Sequence, residues 1–141
     1  MSEGKNVSLF TKAIQVDQSG DKSEIEFFVE GTYIEKNNVK YITYKESELS
    51  GMEGTTTTLR IAENSLSIIR FGTYNSKLEF KNGEQTHTSY QTPYGNVMMV
   101  INTCLLDIDL RQGEKSNIHL KYSLKTGVEE ALMNEIIISF V

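Results

Sequence analysis

Residues 24–33 read EIEFFVEGTY, with Ile25, Phe27, Val29 and Tyr33 alternating against Glu24, Glu26, Glu30 and Thr32. Successive side chains of a strand point to opposite faces, so this pattern specifies a half-buried strand with one face in a core and one in water. The pattern returns where Ile118, Leu120, Tyr122 and Leu124 alternate with His119, Lys121, Ser123 and Lys125. No long segment carries a helical period. The best helical candidate is residues 128–133 (VEEALM), for which one short turn is expected.

Turn signals at short intervals divide the chain into about eight to ten strands, the spacing of an all-β sandwich or barrel. Asn37-Asn38 and Glu63-Asn64 each separate two strands, and Asn82-Gly83 is the strongest signal, predicted as a type I′ turn. Residues 92–95 (TPYG), with the chain's one proline, fit a type I turn and position Tyr94 at a rim. Connection mostly by hairpins suggests an antiparallel up-and-down barrel, which hides its sheet edges by closure. The local registers alone leave open whether the sheet closes or splits into a sandwich.

A two-residue turn fixes the partner of every residue beside it. Around Asn37-Asn38, Tyr33 should face Ile42, Gly31 should face Tyr44, and Val29 should face Glu46. Around Glu63-Asn64, Ile61 should face Leu66, Leu59 should face Ile68, and Thr57 should face Arg70. If Tyr44 pairs with Thr57, one end of the interior collects Tyr44, Glu46, Thr55, Thr57 and Arg70. An inward arginine needs a counter-charge, for which Glu46 is the first candidate; the alternative is an Arg70 that snorkels at the barrel mouth, neutralised by Glu46 or by solvent. Around Asn82-Gly83, Leu78 should face His87, which turns His87 inward too.

At 141 residues the chain is expected to be one domain, 1–141. Its net charge of −5 argues against nucleic acid and anionic membranes, both of which select basic faces. One cysteine permits no internal disulfide, and the N-terminal residues carry no apolar stretch of signal-peptide type. A cytoplasmic location is the expectation. Two histidines and one cysteine match no metal-ligand spacing, and no phosphate-cradling glycine motif occurs, so no metal and no cofactor is expected. Cys104 is expected to be a buried thiol, His119 to face solvent, and Asp107 and Asp109 to form a solvated edge.

The segments YITYKESELSGMEGTTTTLRI (41–61), SIIRFG (67–72) and YQTPYG (90–95) together resemble the YwiB-like family of small bacterial proteins. The resemblance covers most of the chain and implies a lipocalin-like, calycin-type antiparallel barrel. It implies no reaction and no catalytic position. The chain lacks the Gly-x-Trp and disulfides of secreted lipocalins, so their transport functions do not carry over. The leading expectation is a non-enzymatic barrel binding a small amphipathic or anionic ligand in its interior or mouth. Its candidate contacts are Arg70, Tyr44, Thr57, Glu46, His87 and Tyr94. The alternative is a filled barrel that binds a protein partner through its outer surface and loops.

Overall fold

The structure, a computed structural model, describes residues 4–92, 95–126 and 132–141. Ten strands follow one another: β1 (Lys5–Val16), β2 (Lys22–Lys36), β3 (Val39–Lys45), β4 (Thr55–Ile61), β5 (Ser65–Gly72), β6 (Ser76–Lys81), β7 (Gln85–Thr92), β8 (Gly95–Asp109), β9 (Ser116–Thr126) and β10 (Leu132–Phe140). They form one antiparallel sheet in the order β6-β5-β4-β3-β2-β1-β10-β9-β8-β7. Every neighbour in that order is a neighbour in sequence, apart from β1 and β10, which close the circle from the two ends of the chain. The result is a nearly closed up-and-down barrel whose two sheet edges, β6 and β7, meet at a seam.

The turn chemistry explains most of these elements. Asn37 and Asn38 have φ of 53° and 65°, the pair of positive values that a type I′ turn requires. At Asn82-Gly83 only Gly83 is positive, with φ 74°, so the expected I′ hairpin does not form there. The Asn82 Oδ1 instead accepts from the Leu106 N–H at 3.1 Å, while Gly83 N–H donates to Thr103 O and Thr103 N–H to Glu84 O, each at 3.0 Å. The turn is thereby bonded to β8. Among the described residues no backbone ladder joins β6 to β7, and the seam there carries side-chain bonds from Thr86 Oγ1 to Glu79 O and from Thr88 Oγ1 to Lys77 O, both 2.6 Å.

That turn lies over a bulge. Thr103 opposes Tyr122 and Leu105 opposes Lys121, so Cys104 is the extra residue. Cys104 is exposed, which corrects the expectation of a buried thiol: it shares the outward face with Asn102, in alternation with buried Ile101 and Thr103. Among the described residues the one helical element is a 3₁₀ turn at Glu48–Ser50, capped by Ser47 Oγ, which accepts from Leu49 N–H, and ended by Gly51 at φ 76°. Leu132 and Met133 begin β10, so the last two residues of VEEALM are strand, and the first four lie outside the described residues. Pro93 and Tyr94 also lie outside them.

The expected pairs Tyr33–Ile42, Tyr44–Thr57, Thr57–Arg70, Leu59–Ile68 and Ile61–Leu66 are all present. The β2–β3 ladder stops at Thr32–Thr43, however, before Val29 could face Glu46. Ile42, Leu59, Ile68 and Leu78 are consecutive partners across β3 to β6, and all are buried. Leu9, Phe80, Ile101, Ile118 and Leu120 complete a dry core around the same level. Each such side chain, fully buried, contributes about 1.5–3 kcal/mol relative to exposure. This core divides the barrel interior into two ends.

Candidate functional site

At the end of the barrel that carries the β3–β4 and β5–β6 connections, Tyr44, Thr57 and Arg70 are consecutive cross-strand partners on β3, β4 and β5. Glu46, just beyond β3, is held there by its N–H, which donates to Thr55 O at 2.8 Å. The Thr57 hydroxyl donates to Glu46 Oε2 at 2.5 Å, and Thr57 and Glu46 are both buried. Thr55 is also buried, and its Oγ1 accepts from Tyr74 N–H at 3.1 Å, tying the β5–β6 connection to β4. Four of the six expected site residues are therefore together.

The expected Arg70–Glu46 ion pair is absent. Among the described residues no carboxylate lies within 4.0 Å of the Arg70 guanidinium. Among the described residues Arg70 Nε and Glu46 Oε1 are both buried without a hydrogen-bond partner, as are Thr11 Oγ1 and Thr103 Oγ1. Burial pushes the Tyr44 hydroxyl pKa well above its ordinary value; the negative charge of Glu46 adds to the rise and the positive charge of Arg70 opposes it. Burial raises Tyr122 as well, again opposed by Arg70. Arg70 shares its strand face with buried Leu66 and Ile68, which turns it toward the lumen.

His87 is exposed, opposite Val100, and stands away from this group. Thr86 and Thr88, cross-strand partners of the buried Ile101 and Met99, take the inward positions in place of Gln85 and His87. Tyr94 is outside the described residues. His119 lies on the outer wall with Glu135, Nε2 to Oε2 2.5 Å, and that hydrogen bond lowers the Glu135 pKa. Asp107 is exposed and faces His119 across β8 and β9. Among the described residues no three metal-ligating side chains gather.

The opposite end holds a cavity of about 620 Å³, which the sequence reading missed. Val7 of β1, Tyr33 of β2, Phe140 of β10 and Leu110 of the β8–β9 connection give it an apolar lining, with the Tyr33 and Phe140 rings 6.4 Å apart. Lys5, Lys40 and Arg111 face Glu35 and Glu114 on its polar side. Lys40 approaches Glu35 at 3.9 Å, and Arg111 approaches Asp109 at 3.2 Å and Glu114 at 3.6 Å. Lys5 has no ion pair among the described residues. The Ser116 hydroxyl accepts from Arg111 N–H at 2.8 Å and donates to Arg111 O at 3.2 Å, which fixes the β8–β9 connection over the opening. Burial first, and then Glu35, raises the Tyr33 hydroxyl pKa, so the phenol stays protonated as a donor. Such a mouth can hold an apolar body against Val7 and Phe140 while its polar end meets lysine.

The model of a domain of unknown function, DUF1934, matches residues 10–138, and the chain belongs to that family. It is 24% identical over 140 residues to the "Uncharacterized beta-barrel protein YwiB" of Bacillus subtilis (strain 168), covering 99% of this chain and 96% of that protein. The crystal structure of ywiB protein from Bacillus subtilis superposes with a TM-score of 0.84 at 23% identity, over 99% of this chain and 93% of that one. This likeness establishes the shared barrel fold.

Proposed function

We propose that this DUF1934 member is a non-enzymatic binding barrel whose ligand is a small amphipathic anion held in the mouth lined by Val7, Tyr33, Phe140, Lys5 and Lys40. The observation that carries the reading is the cavity itself: about 620 Å³, apolar on one side and charged on the other. Small-molecule sites commonly occupy roughly 300–1,000 Å³ and combine an apolar wall with a few polar anchors. Of the three cations lining it, Lys40 is paired with Glu35 and Arg111 with Asp109 and Glu114, which leaves Lys5 as the one without an ion pair among the described residues. Lys5, with no ion pair among those residues, is the anchor for the anionic end. A cytoplasmic setting accompanies this proposal, because an exposed free thiol such as Cys104 suits a reducing compartment.

Calorimetric titration with decanoate and with decanol tests it. Decanoate should bind more tightly than decanol, and Lys5→Glu should weaken decanoate about fivefold or more, as loss of one exposed charge contact implies. Equal binding of the acid and the alcohol, or binding of neither, would overturn it. A second reading has an observation of its own. Phe28 and Phe71 are 81% and 76% exposed, and Phe28 stacks on Phe10 at a ring separation of 4.8 Å. Exposed aromatic rings serve as anchors for protein partners. Under that reading Phe28→Ser abolishes capture of a partner and leaves decanoate titrations unchanged.

A further inference from the structure

We propose that the polar end of the lumen is a second, separate site, which takes a small neutral molecule presenting a donor and an acceptor side by side, as a primary carboxamide does. The buried row Ile42, Leu59, Ile68 and Leu78 lies between this group and the mouth cavity, so the two sites are independent. The requirement is set by what is left unpaired. Among the described residues Arg70 Nε is a buried donor without an acceptor, and Glu46 Oε1 is a buried acceptor with no donor at hydrogen-bond distance, the Tyr44 hydroxyl interacting with the same carboxylate. A buried polar group left unpaired forfeits the free energy that its hydrogen bond would return, so each is a standing demand for a partner.

The two groups cannot satisfy one another, since no nitrogen of Arg70 lies within 4.0 Å of the Glu46 carboxylate. They nonetheless lie at the same end of the barrel. Glu46 Oε2 is fixed by the Thr57 hydroxyl, Thr57 is the cross-strand partner of Arg70, and both charges act on the Tyr44 hydroxyl. A carboxamide bridges such a gap, its oxygen accepting from Nε and its N–H donating to Oε1. An anion would satisfy Arg70 and be repelled by Glu46; a cation would do the reverse. A neutral bifunctional group satisfies both at once. Glu46 is 7% exposed and Arg70 is only half-buried, so the site is shielded yet reachable from the β3–β4 end.

The test follows the Arg70 side-chain Nε–Hε resonance in wild-type protein during titration with acetamide, acetate and methylammonium. Acetamide should give a saturable shift at a concentration about fivefold or more below that needed for either ion, the ratio expected when an ion leaves one buried group unpaired. Arg70→Met should remove the acetamide-induced shift of the Thr57 amide. Acetate acting as strongly as acetamide would make this an anion site and overturn the proposal. No shift with any of the three, with ordered water as the bridge, would also overturn it. If Arg70→Met does not fold, the comparison of three probes on wild-type protein decides alone. Decanoate binding at the mouth should be unaffected throughout, which separates this proposal from the previous one.

Discussion

Replacing Thr86 and Thr88 together by valine should open the barrel along one line. Valine keeps the shape and removes the two hydroxyls, which donate at 2.6 Å to Glu79 O and Lys77 O across the seam. A hydrogen bond contributes about 0.5–1.5 kcal/mol net, so the pair should cost about 2 kcal/mol. At roughly 2 cal/mol/K of unfolding entropy per residue, this corresponds to a fall in Tm of about 7 °C for a chain of this length. Thr86 should carry more of it, because its bond is part-buried while that of Thr88 is exposed. The assay is amide hydrogen exchange with thermal melting. Exchange should accelerate in β6 and β7, whereas the other strands, laddered on both sides, keep their protection. Thr58→Val is the control: it removes the 3.2 Å contact between Thr43 and Thr58 hydroxyls across two laddered strands and should leave the seam unchanged. An unchanged Tm, or acceleration spread evenly over all ten strands, would refute the reasoning that hydroxyls close the barrel.

Arg70→Met should leave stability unchanged or raise it by about 1 kcal/mol, since it removes an unpaired buried donor; a structural ion pair would instead cost about 3–5 kcal/mol when broken, and denaturant melts distinguish the two. Gly31→Ala should lower Tm by several degrees, because a Cβ there would sit 2.8 Å from Thr43 O and 3.1 Å from Leu9 Cδ1, with backbone on one side and core on the other. Glu135, whose carboxyl His119 holds below its ordinary value of 4.5, contributes stability above that value and loses it as pH falls through the lowered folded pKa. His119→Gln should therefore flatten the dependence of Tm on pH on the acid side of 4.5 and change little near neutrality. A mutant melt that keeps the wild-type acid slope would contradict the assignment.

The strands were legible because a period of two and two-residue turns are local signals. From Asn37-Asn38 and Glu63-Asn64 the pairs Tyr33–Ile42 and Thr57–Arg70 follow directly, and with them the gathering of Tyr44, Thr57, Glu46 and Arg70. What escaped depends on contacts distant in sequence. Asn82-Gly83 is a strong hairpin dipeptide, but its geometry is decided by β8, where a bulge leaves Thr103 and Leu106 to bond the turn. Without a ladder between β6 and β7, the facing of β7 is set by β8, whose buried Ile101 and Met99 turn Thr86 and Thr88 inward and His87 outward. Cys104 is exposed in alternation with buried Ile101 and Thr103, a phase that the apolar residues on both sides of it obscure in the sequence. Lys5, Lys40 and Arg111 meet at the mouth only because β1 and β10 close the circle. The 3₁₀ turn had local signals in Ser47 and Gly51, overlooked beside the stronger strand pattern.

The most direct test of the binding account is native mass spectrometry of the protein freshly purified without detergent. The account predicts a fraction carrying one additional small anionic molecule, a fraction that disappears in Lys5→Glu combined with Lys40→Glu while the variant stays folded. Bare protein in the wild type, or a bound molecule retained undiminished by that variant, would contradict it.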